Sequence, residues 1–265
     1  MLHVFTLGNL INKFIHLRET ASLCHLHIKY ITPPTWESMF DKISYMYEAI
    51  GDIPDNDIIC FIDGFDMLAL ASENEILEKF LKLNCDLIFG AEASCYPGFA
   101  KPGYPDLNKK TVYKYVNAGC YIGYRSAVRK FLNWKTIDEI KEYCAYGSDQ
   151  FYLHEYFKYN YKEGIVTLDY GETIFQNMHL IPWSDFTIHK GRIVNKVLDT
   201  QPCFIHFNGE ADILYSDIPG DNKSVLPALV DIIKQSCTTD IIFDMKKFKF
   251  KPRMPVLNSQ FTYPS

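Results

Sequence analysis

Five apolar residues, Ile58-Ile59-Cys60-Phe61-Ile62, run unbroken into Asp63-Gly64-Phe65-Asp66. A run of this length without alternation is the pattern of a strand buried on both faces. The flanking patterns extend it. Leu2 to Leu7 and Leu26 to Ile31 read as strands, and Asn9 to Leu23 carries Leu10, Phe14, Leu17 and Ala21 at helical spacing. Pro33-Pro34 stops the second strand, and Thr35 is the expected N-cap of a helix reaching Ile50. Glu73 to Leu83 reads as the next helix and Asp86 to Gly90 as the next strand. Strand and helix in alternation predict an α/β chain, with a mostly parallel central sheet and helices on both faces.

The alternation stops at Ala93. From there to Lys110 the chain is rich in Pro, Gly, Tyr and Lys without a period. A long irregular stretch of this kind is expected to be mobile and to line a groove. Val116 to Tyr124 reads as a core strand, and Ser126 to Tyr143 and Asp149 to Tyr159 as helices. Gly164 to Leu168, Thr173 to Phe175 and Pro202 to Phe207 read as short strands, and Val225 to Gln235 as a helix. The division expected is one domain over 1–240. A basic, aromatic arm, 241–265, is packed on it or extended.

Composition removes several function classes. With 265 residues, 48% of them hydrophobic, the chain can bury a large core. A net charge of -5 gives no footprint for nucleic acid. No apolar stretch is long enough to span a membrane, and the N-terminus has no basic region followed by an apolar core. The eight cysteines are scattered and form no C-x-x-C pair, which disfavours zinc. Reduced, buried thiols suit the cytoplasm or another reducing compartment.

Open α/β sheets bind ligands beyond the carboxyl ends of their strands. Asp63 and Asp66 stand there, three apart in a turn, so both carboxylates can face one hard cation. The same residues also make an ordinary polar turn. His206, where Cys203-Phe204-Ile205 gives way to Phe207-Asn208-Gly209, is the candidate third ligand; a hydrogen-bonded structural histidine is its alternative. Oxygen and imidazole together suit Mn²⁺, and such an ion neutralises a leaving diphosphate, as transfer from a nucleotide sugar requires. No phosphate-binding G-x-x-x-x-G-K-[ST] loop or G-x-G-x-x-G turn is present.

Six runs, FIDGFDMLAL, GAEASCYPG, VNAGCYIGY, SDQFYLHEYF, LDYGETIFQN and FIHFNG, follow one another in this order. Together they resemble the glycosyltransferase domain of procollagen lysyl hydroxylases and, more distantly, collagen β-galactosyltransferases. The resemblance implies a GT-A type, Rossmann-like fold. It also implies a UDP-sugar donor, UDP-glucose or UDP-galactose, and Mn²⁺. Asp63, Asp66 and His206 match the family's metal ligands. Thr6, with Leu7 beside it, matches a position near the uridine, and Phe65 stands where the family has a tyrosine. Trp36 and Lys42 match a uracil-stacking tryptophan and a diphosphate-binding lysine, though Trp36 also suits helix packing. Asn117 is placed to bond a sugar hydroxyl or to start its strand, and Asn208 and Gly209 complete the nucleotide-binding set.

Asp149 matches the second acid of a paired-acid motif whose first acid is replaced by Ser148, and it also suits a helix N-terminus. Asp149 and Glu92 are the catalytic candidates, with Glu92 and Tyr96 on the acceptor side. Phe207 and Glu210-Ala211-Asp212 replace a glycine and a lysine of the family. The expected reaction moves a hexose to hydroxylysine or galactosyl-hydroxylysine of a collagen-like protein. The alternatives are a non-catalytic UDP-binding scaffold and a transferase acting on a surface glycan.

Overall fold

The computed structural model describes residues 1–105, 111–208 and 225–247. The first part of the chain is β1 (Leu2–Leu7), a 3-10 turn over Ile11–Phe14, α1 (Ile15–Leu23), β2 (Ile28–Ile31), α2 (Phe40–Ala49) and β3 (Ile58–Ile62). It continues with β4 (Met67–Ala69), α3 (Glu73–Leu83), β5 (Leu87–Glu92), β6 (Tyr115–Tyr124), α4 (Arg125–Leu132) and α5 (Ile137–Asn160). The rest is β7 (Val166–Leu168), β8 (Phe175–Asn177), β9 (Phe186–His189), β10 (Arg192–Asn195), β11 (Phe204–His206), α6 (Val225–Ser236) and β12 (Phe243–Asp244).

The main sheet has six strands in the order β2-β1-β3-β6-β5-β7. All run parallel except β6, which is antiparallel to both β3 and β5. β3 lies inside the sheet with every residue buried. Its alternate side chains feed two cores. Ile59 and Phe61 join Ile43, Met46 and Phe131 on the α2, α4 and α5 side. Ile58, Cys60 and Ile62 join Leu17, Ala21, Ile76 and Phe80 on the α1 and α3 side. Burial of five such residues stabilises the strand by about 1.5–3 kcal/mol for each large side chain.

α3 shows why these helices form where they do. Glu73 and Glu75 lie in its first turn and Lys82 in its last, as the helix dipole favours, and left-handed Asn84 ends it. Ile76 and Phe80, four apart, supply its buried face.

Several boundaries differ from the sequence expectation. α2 starts at Phe40, not after Thr35, because the Asp41 carboxylate turns back to accept the amide of Ser38 at 3.1 Å and that of Glu37. The helix expected over 126–143 is broken at 133–136, where Thr136 and Glu139 form a reciprocal capping box. α5 then runs on through Asp149, with Gly147 and Ser148 non-helical inside it. β4 and the β9–β10 hairpin are additional strands.

The second sheet has the order β4-β11-β8, and a third, β10-β9-β12, packs beside it with α6. In the expected arm, Phe243 and Asp244 pair with Ile188 and Thr187 of β9. Residues 248–265 of that arm lie outside the described residues. The described part of the expected loop, 93–105, is tied to α5. Lys158 donates to the carbonyls of Ala100 and Pro102, and Tyr104 bonds His154. Among the described residues no helix is long and apolar enough to cross a membrane.

Candidate metal and nucleotide site

The turn after β3 delivers Asp63 and Asp66 and leads at once into β4. β4 pairs antiparallel with β11, with Met67 opposite His206. The second sheet therefore carries His206 to the carboxylates. Its Nε2 lies 3.8 Å from Oδ2 of Asp63 and 3.5 Å from Oδ2 of Asp66. One ligand atom from each of the three residues falls within 4.8 Å of the others.

The neighbours of His206 orient its ring. β8 runs beside β11 with Asn177 opposite His206. Asn177 Nδ2 donates to the carbonyl of Ala91 at 2.8 Å, so its Oδ1 faces Nδ1 of His206 at 2.9 Å. Nδ1 then carries the proton, and Nε2 faces the two acids, where it could serve a metal ion as a ligand. Burial disfavours charge on His206, but Asp66 and Asp63 outweigh it and raise its pKa. At Asp66 the same attraction overcomes burial and lowers the carboxyl. The cluster draws positive charge, as a cation site must.

Gly119 of β6 makes room for this arrangement. Its carbonyl accepts the Asp63 amide at 2.7 Å. A Cβ on Gly119 would stand 2.1 Å from Cε1 of His206 and 2.7 Å from Oδ2 of Asp63.

Lys42, from α2, joins the acids to the other catalytic candidate. Its Nζ is 2.9 Å from Oδ1 of Asp63 and 2.9 Å from Oδ2 of Asp149. Burial opposes this ammonium, yet Asp149 and Asp63 hold its pKa above the ordinary value. Two carboxylates, Asp63 and Asp149, thus share one lysine on the floor of the cleft. Ser148, at φ 71 and ψ 173, holds a backbone conformation that side chains other than glycine rarely adopt. Its Oγ accepts the amide of Gln150 at 3.2 Å. The strained turn aims Asp149 at Lys42.

The cleft, about 570 Å³, opens above these groups. Leu7, Trp36, Lys42, Phe65, Asp63 and Asp66 line it, together with His16 and with Lys13, whose ammonium lies 5.4 Å from the centre of the Phe65 ring. Trp36 both lines the cleft and packs against the main core. Phe65 rests on Phe14, ring centroids 5.2 Å apart.

Other candidates stand behind the cleft. Thr6, Asn117, Asn208 and Glu92 are each 5% exposed or less. Asn117 Oδ1 accepts the Gly119 amide at 2.9 Å. Asn208 accepts from the amides of Met178 and His179 and donates to Glu92 at 2.6 Å. Gln150 donates to the other Glu92 oxygen at 2.5 Å. Burial pushes the Glu92 carboxyl up to about 7, against the pull of Gln150. Glu92 therefore joins α5 to the end of β11 from inside the protein. Gly209, Glu210, Ala211 and Asp212 lie outside the described residues. Phe207 is 1% exposed and packs on Trp183, turned away from the acids.

Gly119, Asn177 and Gln150 were given no role from sequence. Their signal was their place inside the runs VNAGCYIGY, LDYGETIFQN and SDQFYLHEYF.

The family described as the PLOD GT domain matches residues 40–218. An uncharacterized protein of Acanthamoeba polyphaga mimivirus is 31% identical over 182 residues, covering 68% of this chain and 37% of that protein. The human multifunctional procollagen lysine hydroxylase and glycosyltransferase LH3 is 31% identical over 160 residues, covering 57% of this chain and 20% of that protein. The chain thus corresponds to well under half the length of these relatives. A solved glycosyltransferase involved in glycosylation of the major capsid of PBCV-1 superposes with a TM-score of 0.51 at 12% identity. That match covers 88% of this chain and 98% of that one, and it carries the GT-A-like α/β fold. With 40–218 matched and the six runs in place on this fold, the chain belongs to the PLOD GT domain family of glycosyltransferases.

Proposed function

We propose that the chain transfers a hexose from a UDP-sugar, UDP-glucose or UDP-galactose, to hydroxylysine or galactosyl-hydroxylysine of a collagen-like protein. The observation that carries the reading is the convergence of Asp63, Asp66 and His206, with the two acids lining a nucleotide-sized cleft and the buried imidazole behind them. Two carboxylate oxygens and an oriented imidazole suit Mn²⁺, and they would hold it. A bound divalent ion supplies positive charge against a diphosphate leaving group.

The remaining roles belong to the side chains. Trp36, Leu7 and Phe65 offer apolar surface to a base and ribose. Lys42 holds Asp149 at a fixed place relative to Asp63. In the transfer, an acceptor hydroxyl oxygen bonds to the anomeric carbon and the bond from that carbon to UDP breaks. Asp149 accepts the hydroxyl proton or steadies positive charge on the sugar. Glu92, through Gln150 and Asn208, keeps both walls of the site in register.

The test is ligand-linked stability. UDP should raise the melting temperature with Mn²⁺ present and much less with chelator. Asp66→Ala should remove the shift while leaving the protein folded. An unchanged UDP-induced shift in that variant overturns the three-ligand site.

A further inference from the structure

Beside the kink in α5 lies a second groove, which the donor site does not use. Glu139, Glu142, Tyr143, Ala145, Tyr146 and Phe151 line a depression of about 640 Å³. Tyr146 is 74% exposed, and Phe99, at the groove's edge, is 43% exposed. The rings form a connected set. Phe99 lies 5.1 Å from Tyr146 and 5.0 Å from Phe151, and Tyr143 lies 5.2 Å from Phe151, centroid to centroid.

The chemistry of this surface favours one kind of occupant. Aromatic faces attract cations through their quadrupole, most effectively when a carboxylate stands nearby. The lining holds two glutamates and no lysine or arginine; Glu139 is engaged by Thr136 in the cap of α5 and lies 3.7 Å from Lys135, so Glu142 is the carboxylate offered to a ligand. A lysine or arginine side chain on an extended polypeptide finds ring faces for its stem and the Glu142 carboxylate for its head.

Its position adds a second, independent reason. Gly147 sits where the loop after β5 meets α5. A Cβ on it would stand 2.9 Å from Cγ of Pro97 and 2.9 Å from Cβ of Phe151. The next residue is the strained Ser148, and the one after it is Asp149. The groove is thus joined through two residues to the carboxylate placed at the reacting centre.

We propose that this aromatic, acid-rimmed groove docks a lysine- or arginine-bearing segment of the acceptor polypeptide beside the residue being modified. The word acceptor rests on the transferase reading; the docking itself is read without turnover.

The experiment is fluorescence anisotropy with the full chain and no donor. The probe is a labelled peptide of repeated Gly-Pro-Lys, compared with its Gly-Pro-Glu counterpart and with a neutral oligosaccharide as competitor. The lysine peptide should bind more tightly than the glutamate peptide. Tyr146→Ala and Glu142→Gln should each weaken it roughly two- to fivefold, the scale of exposed cation–aromatic contacts, and Tyr146→Phe should restore it. Both weakened variants should keep the full Mn²⁺-dependent UDP shift, which separates failure of docking from failure of the donor site. Equal binding of the two peptides, unchanged affinity in both variants, or equal displacement by the neutral glycan overturns the proposal. Should the wild-type chain hydrolyse no UDP-sugar while the peptide selectivity holds, the transferase reading falls and the docking surface stands.

Discussion

The side-chain oxygen of Asn177 stands 2.9 Å from Nδ1 of His206, on the strand directly beside it. This contact sets which nitrogen of the imidazole meets the two carboxylates. Neither residue alone specifies that outcome. The parallel register of β8 and β11 does, with the tie from Asn177 to Ala91.

The first prediction concerns Asn177→Ala. The imidazole loses its orienting partner but stays in place on β11. Mn²⁺ affinity, measured by calorimetric titration, should fall 10- to 100-fold, the usual effect of removing such a partner. Undiminished affinity would falsify the ligand role of His206.

Gly119→Ala tests the space around the same imidazole. The added methyl overlaps Cε1 of His206 and crowds Asp63, so ligand geometry and packing suffer together. Urea unfolding should show a loss of roughly 1–3 kcal/mol, typical of overpacking. The Mn²⁺-dependent UDP shift should disappear. A variant that binds UDP normally would mean that β6 stands farther from the site than the structure places it.

Asp149→Asn separates binding from chemistry. The amide keeps the shape and can still contact Lys42, but it accepts no proton. UDP and Mn²⁺ binding should persist while turnover falls by about 10²-fold or more, the scale of general-base catalysis. Near-normal turnover would assign Asp149 to the helix turn alone.

His154 gives a pH prediction. It is buried, bonds the carbonyl of Tyr96 at 3.0 Å and pairs with the hydroxyl of Tyr104, which also accepts the amide of Val116. Burial pulls its pKa down to about 4 from an ordinary 6.5. The unfolded chain therefore takes up the proton first. The contribution to stability is complete above pH 6.5 and is lost as pH falls towards 4, about 3 kcal/mol in all. Chemical denaturation between pH 7 and pH 4.5 should show this slope, and His154→Gln should flatten it. An identical slope in the variant would place the acid sensitivity elsewhere.

The sequence showed the strand end at Asp63 because burial on both faces leaves an unmistakable apolar run. It showed His206 because an apolar strand gives way there to a polar turn. Direction left no trace: β6 reads like its neighbours, since side-chain alternation is the same in parallel and antiparallel strands. The start of α2 was misplaced because Pro33-Pro34 suggested a nearby cap. The actual stop is the Asp41 carboxylate folding back on the chain, a contact that periodicity does not encode. Gly119 and Asn177 were passed over for a similar reason. One acts by having no side chain and the other by facing a histidine remote in the chain.

The union of Asp66 and His206 has a consequence for how the protein unfolds. The stretch from β4 to β11 lies between them, holding β5, β6 and β7 of the main sheet and β8 of the second. An ion gripped by both ends would close that stretch into a ring, as a covalent cross-link does. Such a closure acts chiefly on the denatured chain, whose freedom shrinks with the logarithm of the loop it encloses. The metal would then be worth more to this protein than its few bonds imply.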